Sequence, residues 1–274
     1  MEALRGFRDC LTSTSHANAR VYEYRPLKQF EIRILLLLKG TVDEPVRAEI
    51  EHWDIRDEGQ RAYAALSYTW GDPEHQPQVV FFGRRVRRAT NNLWLFLKRI
   101  RQEKADLCVW ADALSIDQEN KAEKAQQIQY MTSIYPQAVK VLVWLGESDD
   151  TVGTAFETLD NWASAYRNNQ QEPEGMREQL RLAQNLGVSG SASSAMASLF
   201  ARPWFRRAWI VQEVLTDFER PPLVLCGRHE ISWHRIWTAV RRERKVPPTT
   251  YCCYMGPRRK DDLVGDYPKS DGKS

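Results

Sequence analysis

Apolar residues along this chain fall into short runs split by polar stretches, and the runs follow two periods. Phe30 to Lys39 (FEIRILLLLK) opens with alternating polar and apolar residues, which predicts a strand with one solvated face. An acidic, polar connection follows, with a short strand around Ala48 to His52. Tyr63 to Trp70 (YAALSYTW) is an apolar, aromatic run stopped by Gly71-Asp72-Pro73, the pattern of a buried strand ending in a turn. Leu107 to Ala113 and Val139 to Leu145 read as a second and a third buried strand, the latter closed by Gly146. Val79 to Arg87 reads as two short strands turning near Gly83.

The period changes between these runs. Asn91 to Arg101 predicts a helix capped by Thr90 or Asn91, with basic residues in its last turn. Asn120 to Tyr135 predicts a second, with Asn120 as cap, Glu123 three residues on, and Ile128, Met131 and Tyr135 on one face. A further helix is expected near Thr151 to Tyr166, then a stretch rich in Gln, Asn and Glu. Phe205 to Leu215 predicts a helix after Pro203, followed by strands at Leu223 to Cys226 and around Glu230 to Trp233.

Strands alternating with helices define an α/β domain with a mainly parallel sheet. The expected organisation is a mobile lead-in over 1–30, a domain over 31–240 with a helical insertion at about 147–195, and a disordered tail over 241–274.

Composition narrows the class. With 274 residues and 42% hydrophobic content, the chain can bury a sizeable core. A net charge of +3 is too near balance for a general polyanion binder, so no nucleic acid is expected. The run Ile34 to Leu38 is far too short for a membrane span. Cysteines 10, 108, 226, 252 and 253 form no C-x-x-C pair and no zinc spacing, which argues against a disulfide framework and a structural zinc and for a reducing cytosol or nucleus. The five histidines show no metal spacing, and no metal is expected. No P-loop, G-x-G-x-x-G or G-x-S-x-G is present.

Three segments carry candidate chemistry. Ligands of α/β sheets bind beyond the carboxyl ends of strands. Ser67, Tyr68, Trp70, Gly71 and Asp72 stand at such an end, where Trp70 could stack on a ring and Gly71 would admit a close ligand. The same residues also suit core aromatics and a plain turn. Asp112 and Asp117 follow the next strand. Asp112 is open to a ligand role or to pairing with an arginine or backbone amides, and Asp117 is expected to cap a turn. In the third segment, helical spacing puts Arg206, Trp209 and Glu213 on one stripe. An acid beside a tryptophan in an apolar turn suits catalysis; an exposed glutamate or a pair with Arg206 or Arg207 is the alternative. The basic knot of Arg84, Arg85, Arg87 and Arg88 reads as a solvated hairpin tip.

Together these blocks resemble the heterokaryon-incompatibility (HET) domain of filamentous fungi. Ala65 to Asp72 is similar to its A-L-S-Y-T-W-G-D block. Trp110 to Gln118, Glu123 to Ile128 and Met131 to Tyr135 are similar to W-x-D-A-x-C-I-N-Q and the E-x-x-x-Q-I and M-x-x-I-Y that follow it. Arg202 to Glu213 is similar to R-P-W-F-x-R-x-W-x-V-Q-E, and Cys226 to Trp233 to C-G-x-x-x-I-x-W. The likeness covers about residues 62–240. Ser115 stands where the family has Cys, and Asp117 where it has Asn, which argues against a cysteine nucleophile at 115 and leaves the scaffold intact.

The resemblance implies a cytosolic fungal protein of allorecognition and programmed cell death. It further implies similarity to TIR domains, a flavodoxin-like fold whose third helix carries W-x-x-x-E, matched by Trp209 and Glu213. It therefore implies NAD⁺ hydrolysis as one function, with NAD as substrate and no cofactor required. Glu213 would be the catalytic acid; Ser67, Tyr68, Trp70, Gly71, Asp112, Arg206, Arg207 and Trp209 would bind. The alternative is a non-enzymatic module that forms a homo-oligomer or engages an unknown activating protein.

Overall fold

A computed structural model describes residues 19–57, 62–167, 191–207, 213 and 220–241. The strands are β1 (Arg20–Val21), β2 (Glu31–Leu37), β3 (Ala48–Asp54), β4 (Ala64–Tyr68), β5 (Gln78–Phe82), β6 (Arg85–Ala89), β7 (Leu107–Trp110), β8 (Lys140–Trp144), β9 (Leu223–Cys226) and β10 (His229–Ser232). The helices are α1 (Asn91–Ile100), α2 (Asp112–Ser115), α3 (Lys121–Gln137), α4 (Val152–Arg167), α5 (Ser191–Ala201) and α6 (Trp233–Arg241), with a 3₁₀ turn over Pro203–Arg206.

A seven-stranded sheet runs β10-β9-β8-β4-β7-β2-β3. Its centre, β9-β8-β4-β7, is parallel throughout. Both flanks are antiparallel: β10 folds back on β9, and β2 pairs with β7 and with β3. The α/β class holds, but the sheet is mixed rather than mainly parallel. At the β10 edge the physical reason is connection length. Parallel neighbours need a long crossover, whereas Gly227 (φ 51°) makes the tight turn that lets β10 reverse directly onto β9. A second, three-stranded sheet, β1-β6-β5, adjoins the first through a bridge from Arg47 to Phe81.

Strand side chains alternate between two cores. Ala65, Trp110, Val141, Val143 and Val224 meet α3, α4, α5 and α6 on one face. Leu66, Tyr68, Val109, Leu142, Trp144 and Leu225 meet α1 on the other. Both faces of the central strands are therefore covered, which is why they read as continuous apolar runs.

Helix starts follow the sequence. Thr90 caps α1, its hydroxyl accepting from the Leu93 amide. Asn120 caps α3, its side chain accepting from the Glu123 amide. The Glu123 carboxylate, however, does not turn back to the cap. It binds Arg33 and the Asp117 amide instead.

Three expectations change. The stretch after β8 is not wholly an insertion: α4 buries Val152, Ala155, Phe156, Leu159 and Trp162 and belongs to the crossover that parallel strands β8 and β9 require. Residues 168–190 of that stretch lie outside the described residues. The domain also reaches forward of residue 31, since β1 pairs with β6 and the Tyr24 hydroxyl donates to Leu114 O at 2.8 Å. Residues 1–18 and 242–274, where a lead-in and a tail were expected, are outside the described residues. Finally, no helix begins at Phe205. Pro203 opens a 3₁₀ turn that ends at Arg207, which is extended (φ −77°, ψ 134°) and donates its amide to Trp204 O.

Candidate functional site

β4 delivers the first side chain. Ala65 and Ser67 share the face that looks toward α3 and the 3₁₀ turn, because alternate residues of a strand point the same way. Ser67 is buried there. Its hydroxyl donates to Glu213 Oε2 and accepts from Trp204 Nε1 at 2.8 Å. The indole takes an acceptor position of Ser67, so the Ser67 proton is free to point at the carboxylate.

Glu213 is fully buried, at 0% exposure. Arg207 grips it with both terminal nitrogens, Nη1 to Oε2 and Nη2 to Oε1, each at 3.1 Å. Burial pushes the Glu213 carboxyl above its ordinary range; the Arg207 charge and the Ser67 hydrogen bond pull it down, and the Asp112 charge adds to the rise. This is a carboxylate held against its own desolvation by three donors.

Arg207 leads outward. Its side chain is 20% exposed and lines a cleft of about 220 Å³ with Trp70, Asp112, Ile116, Gln118, Lys124, Ile128 and Met131. Trp70, 38% exposed, donates its Nε1 to Asp112 Oδ2 at 2.8 Å. The other Asp112 oxygen accepts from the Ala113 amide. The Lys124 ammonium stands 5.7 Å from the Trp70 ring centre. Gln118 donates to Asp112 O, and its Oε1 is buried without a partner among the described residues.

Three residues support this geometry. Asn92, in the first turn of α1, donates to Thr69 O at 2.6 Å and accepts from Trp144 Nε1 at 2.9 Å, tying the β4 exit to the end of β8. Gly71, in the same exit, has φ 77° and makes the left-handed turn there. On the opposite wall, Arg33 is buried in β2 and binds Glu123, Ser115 O and Arg25 O, which anchors the segment carrying Asp112 and Gln118.

The expected residues divide accordingly. Ser67, Arg207 and Glu213 converge under the strand end, and Trp70 and Asp112 form the cleft above. Tyr68 points to the other face of the sheet, packed against Phe96 with ring centres 6.1 Å apart, and does not line the cleft. Its hydroxyl is raised well above its usual pKa by burial and by the Asp112 carboxylate close to it. Arg206 is exposed and in the 3₁₀ turn, so the stripe with Glu213 is broken at Arg207. Trp209 lies outside the described residues. Asp117 accepts from the Glu119 amide, the turn role expected of it.

Trp204, Lys124, Gln118, Asn92 and Arg33 were not singled out by sequence reasoning. For Trp204 a simple substitution checks its place. Trp204→Phe removes the indole donor and about 1 kcal/mol, so a melting midpoint about 2–4 °C lower is expected for a domain of this size. An unchanged midpoint in calorimetry would show that the Ser67 bond contributes nothing.

The profile of the heterokaryon incompatibility protein (HET) family matches residues 63–213, more than half of the chain. The segment so matched runs from the start of β4 to Glu213 and contains both layers of the site. This chain belongs to the HET family. Heterokaryon incompatibility protein 6, OR allele, of Neurospora crassa is 27% identical over 184 residues, which is 56% of this chain and 27% of that protein. The chain thus spans about a quarter of that relative's length. No solved structure matches the chain. Among the described residues no helix is long and apolar enough to cross a membrane, and no group of three metal-ligating side chains occurs.

Proposed function

We propose that this chain is a fungal cell-death effector domain of heterokaryon incompatibility that hydrolyses NAD⁺ to nicotinamide and ADP-ribose. The observation that carries the reading is the buried Glu213 carboxylate, bound to Ser67 at the carboxyl end of β4 and to Arg207 at the cleft floor. The parallel centre supports it. Numbered in chain order, its four strands lie second-first-third-fourth, the flavodoxin-like order that TIR domains share, and the site sits beside the switch point between β4 and β8.

Nicotinamide is already cationic on the dinucleotide and leaves with the electrons of the glycosidic bond. The ribose carbon left behind has oxocarbenium character, which a nearby carboxylate stabilises. Glu213 fills that role in this reading, hydrogen-bonding a ribose hydroxyl, while water adds to the carbon and loses a proton. Trp70 offers a ring face to a base, and Arg207 a fork for phosphate oxygens.

The test is release of free nicotinamide from NAD⁺ at high protein concentration, with Glu213→Gln alongside. Release by the wild type and a loss of about a hundredfold or more in the variant is expected, in line with removal of a group that stabilises charge in the transition state. Silence from both folded proteins, with an oligomerising agent present, would favour an interaction module working through a partner.

A further inference from the structure

The candidate acid and the cleft do not meet directly. Glu213 has no exposed surface and is absent from the cleft lining. Arg207 stands between the two, with one side on both carboxylate oxygens and the other in the cleft. Any reaction at Glu213 therefore needs the guanidinium to move.

The cleft supplies something to move it. Its charged lining is Arg207, Lys124 and Asp112, two cations against one acid. The acid is already engaged, by Trp70 Nε1 and by the Ala113 amide. Lys124 has no ion pair among the described residues and stands over Trp70. Ile116, Ile128 and Met131 complete the lining with apolar surface. At about 220 Å³ the cleft is below the roughly 300 Å³ at which pockets for drug-sized ligands begin. It holds one ring with an attached anionic group, and the rest of a dinucleotide would lie outside it.

We infer that this cleft is an anion site in which a diphosphate enters between Lys124 and Arg207 and displaces Glu213 from the Arg207 guanidinium, so that ligand arrival uncovers the carboxylate. The inference rests on the reading of Glu213 as the working acid and adds Lys124 as a binding residue. The exchange is chemically even, because carboxylate and phosphate accept the same two-pronged hydrogen bond.

The exchange has a signature in protons. The groups facing Glu213 are Ser67 on β4, Tyr135 on α3, Trp204 and Arg207 on the 3₁₀ segment, and the Asp112 charge on α2. Tyr135 donates to Leu66 O at 3.1 Å and Trp204 to Ser67, so neither supplies a replacement donor. Once Arg207 leaves and an anion arrives, both changes favour the protonated carboxyl. Binding should take up protons.

The experiment is titration calorimetry of ADP-ribose near neutral pH in buffers of different ionisation enthalpy. Its diphosphate has no ionisation in that range, so proton exchange belongs to the protein. Proton uptake by the wild type is expected. Glu213→Gln should bind several-fold more tightly and without uptake, since Arg207 is no longer held. Lys124→Ala, a partly exposed change that leaves the fold intact, should weaken binding about tenfold or more. Absence of binding, binding without proton exchange, or equal binding by Lys124→Ala would overturn the exchange. Such a failure together with Glu213-dependent nicotinamide release would leave the hydrolase reading standing. Proton uptake lost in Glu213→Gln, with no nicotinamide release by the wild type, would uphold the exchange and remove the hydrolase.

Discussion

Arg33→Met should cost about 3–5 kcal/mol of folding free energy, because it strands the Glu123 carboxylate inside the domain. The two side chains are 0% and 6% exposed, with Arg33 Nη1 at 2.5 Å from Glu123 Oε1 and Nη2 at 3.0 Å from Oε2. The guanidinium also holds Ser115 O and Arg25 O, and its carbon lies 4.4 Å from the Tyr24 ring centre. Methionine fills much of the volume but satisfies none of these acceptors. At about 2–4 °C per kcal/mol for a domain of this size, the melting midpoint should fall by roughly 6–20 °C. The double variant Arg33→Met, Glu123→Met should recover a large part of the loss, since a buried pair replaced by apolar groups is often neutral. Thermal denaturation of the three variants decides it. Equal losses in the single and double variants would mean that the carbonyl contacts, not the ion pair, matter. Because Glu123 also binds the Asp117 amide, the singles should disturb the Asp112 wall as well.

The second large effect runs the other way. Glu213→Gln should hold the wild-type melting midpoint at neutral pH or exceed it, although it removes a two-pronged salt bridge. Burial raises the Glu213 carboxyl above its value in the unfolded chain, despite Arg207 and Ser67. An acid with a raised folded pKa penalises the fold above that pKa, where it must be buried ionised. The penalty shrinks as pH falls through the folded value and is gone below the unfolded one. The advantage of the glutamine variant should therefore be greatest at neutral and alkaline pH and vanish on acidification. Arg207, partly exposed, can turn to water. A neutral-pH midpoint more than a few degrees below wild type, or an advantage that grows in acid, would contradict this. A residue kept at the expense of stability is what a working acid looks like.

What was legible in the chain was local. The buried strands announce themselves because their two covered faces leave no polar alternation, and the caps Thr90 and Asn120 because hydroxyl and amide oxygens stand just ahead of helical spacing. The exit of β4 was legible as a strand end followed by a turn, from an apolar run stopped by Gly71-Asp72. What failed was nonlocal or subtle. The run from Phe205 keeps helical spacing, but the 3₁₀ turn and the extended Arg207 interrupt it, and of the two arginines that spacing left open as partners of Glu213 it is Arg207 that binds it. α6 was missed although Trp233, Ile236, Trp237 and Val240 carry helical spacing, because Trp233 reads equally well as the end of β10. Arg33 carried a signal of its own: a charge set between Ile32 and Ile34 just ahead of a leucine run, in a strand buried on both faces, needs a buried partner. Which partner is a matter of tertiary contact, 90 residues away.

That distance matters most at Glu213, which is 146 residues from the serine it binds. Ser67, Trp70, Asp112 and Lys124 all leave the ribosome before the carboxylate does. A nascent chain halted short of residue 213 carries Ser67 and the residues that line the cleft without the buried carboxylate, and lacks β9 to close the parallel centre. This order makes completion of the buried cluster and closure of the parallel centre late, linked events in synthesis, since both wait for the segment from Glu213 to β9.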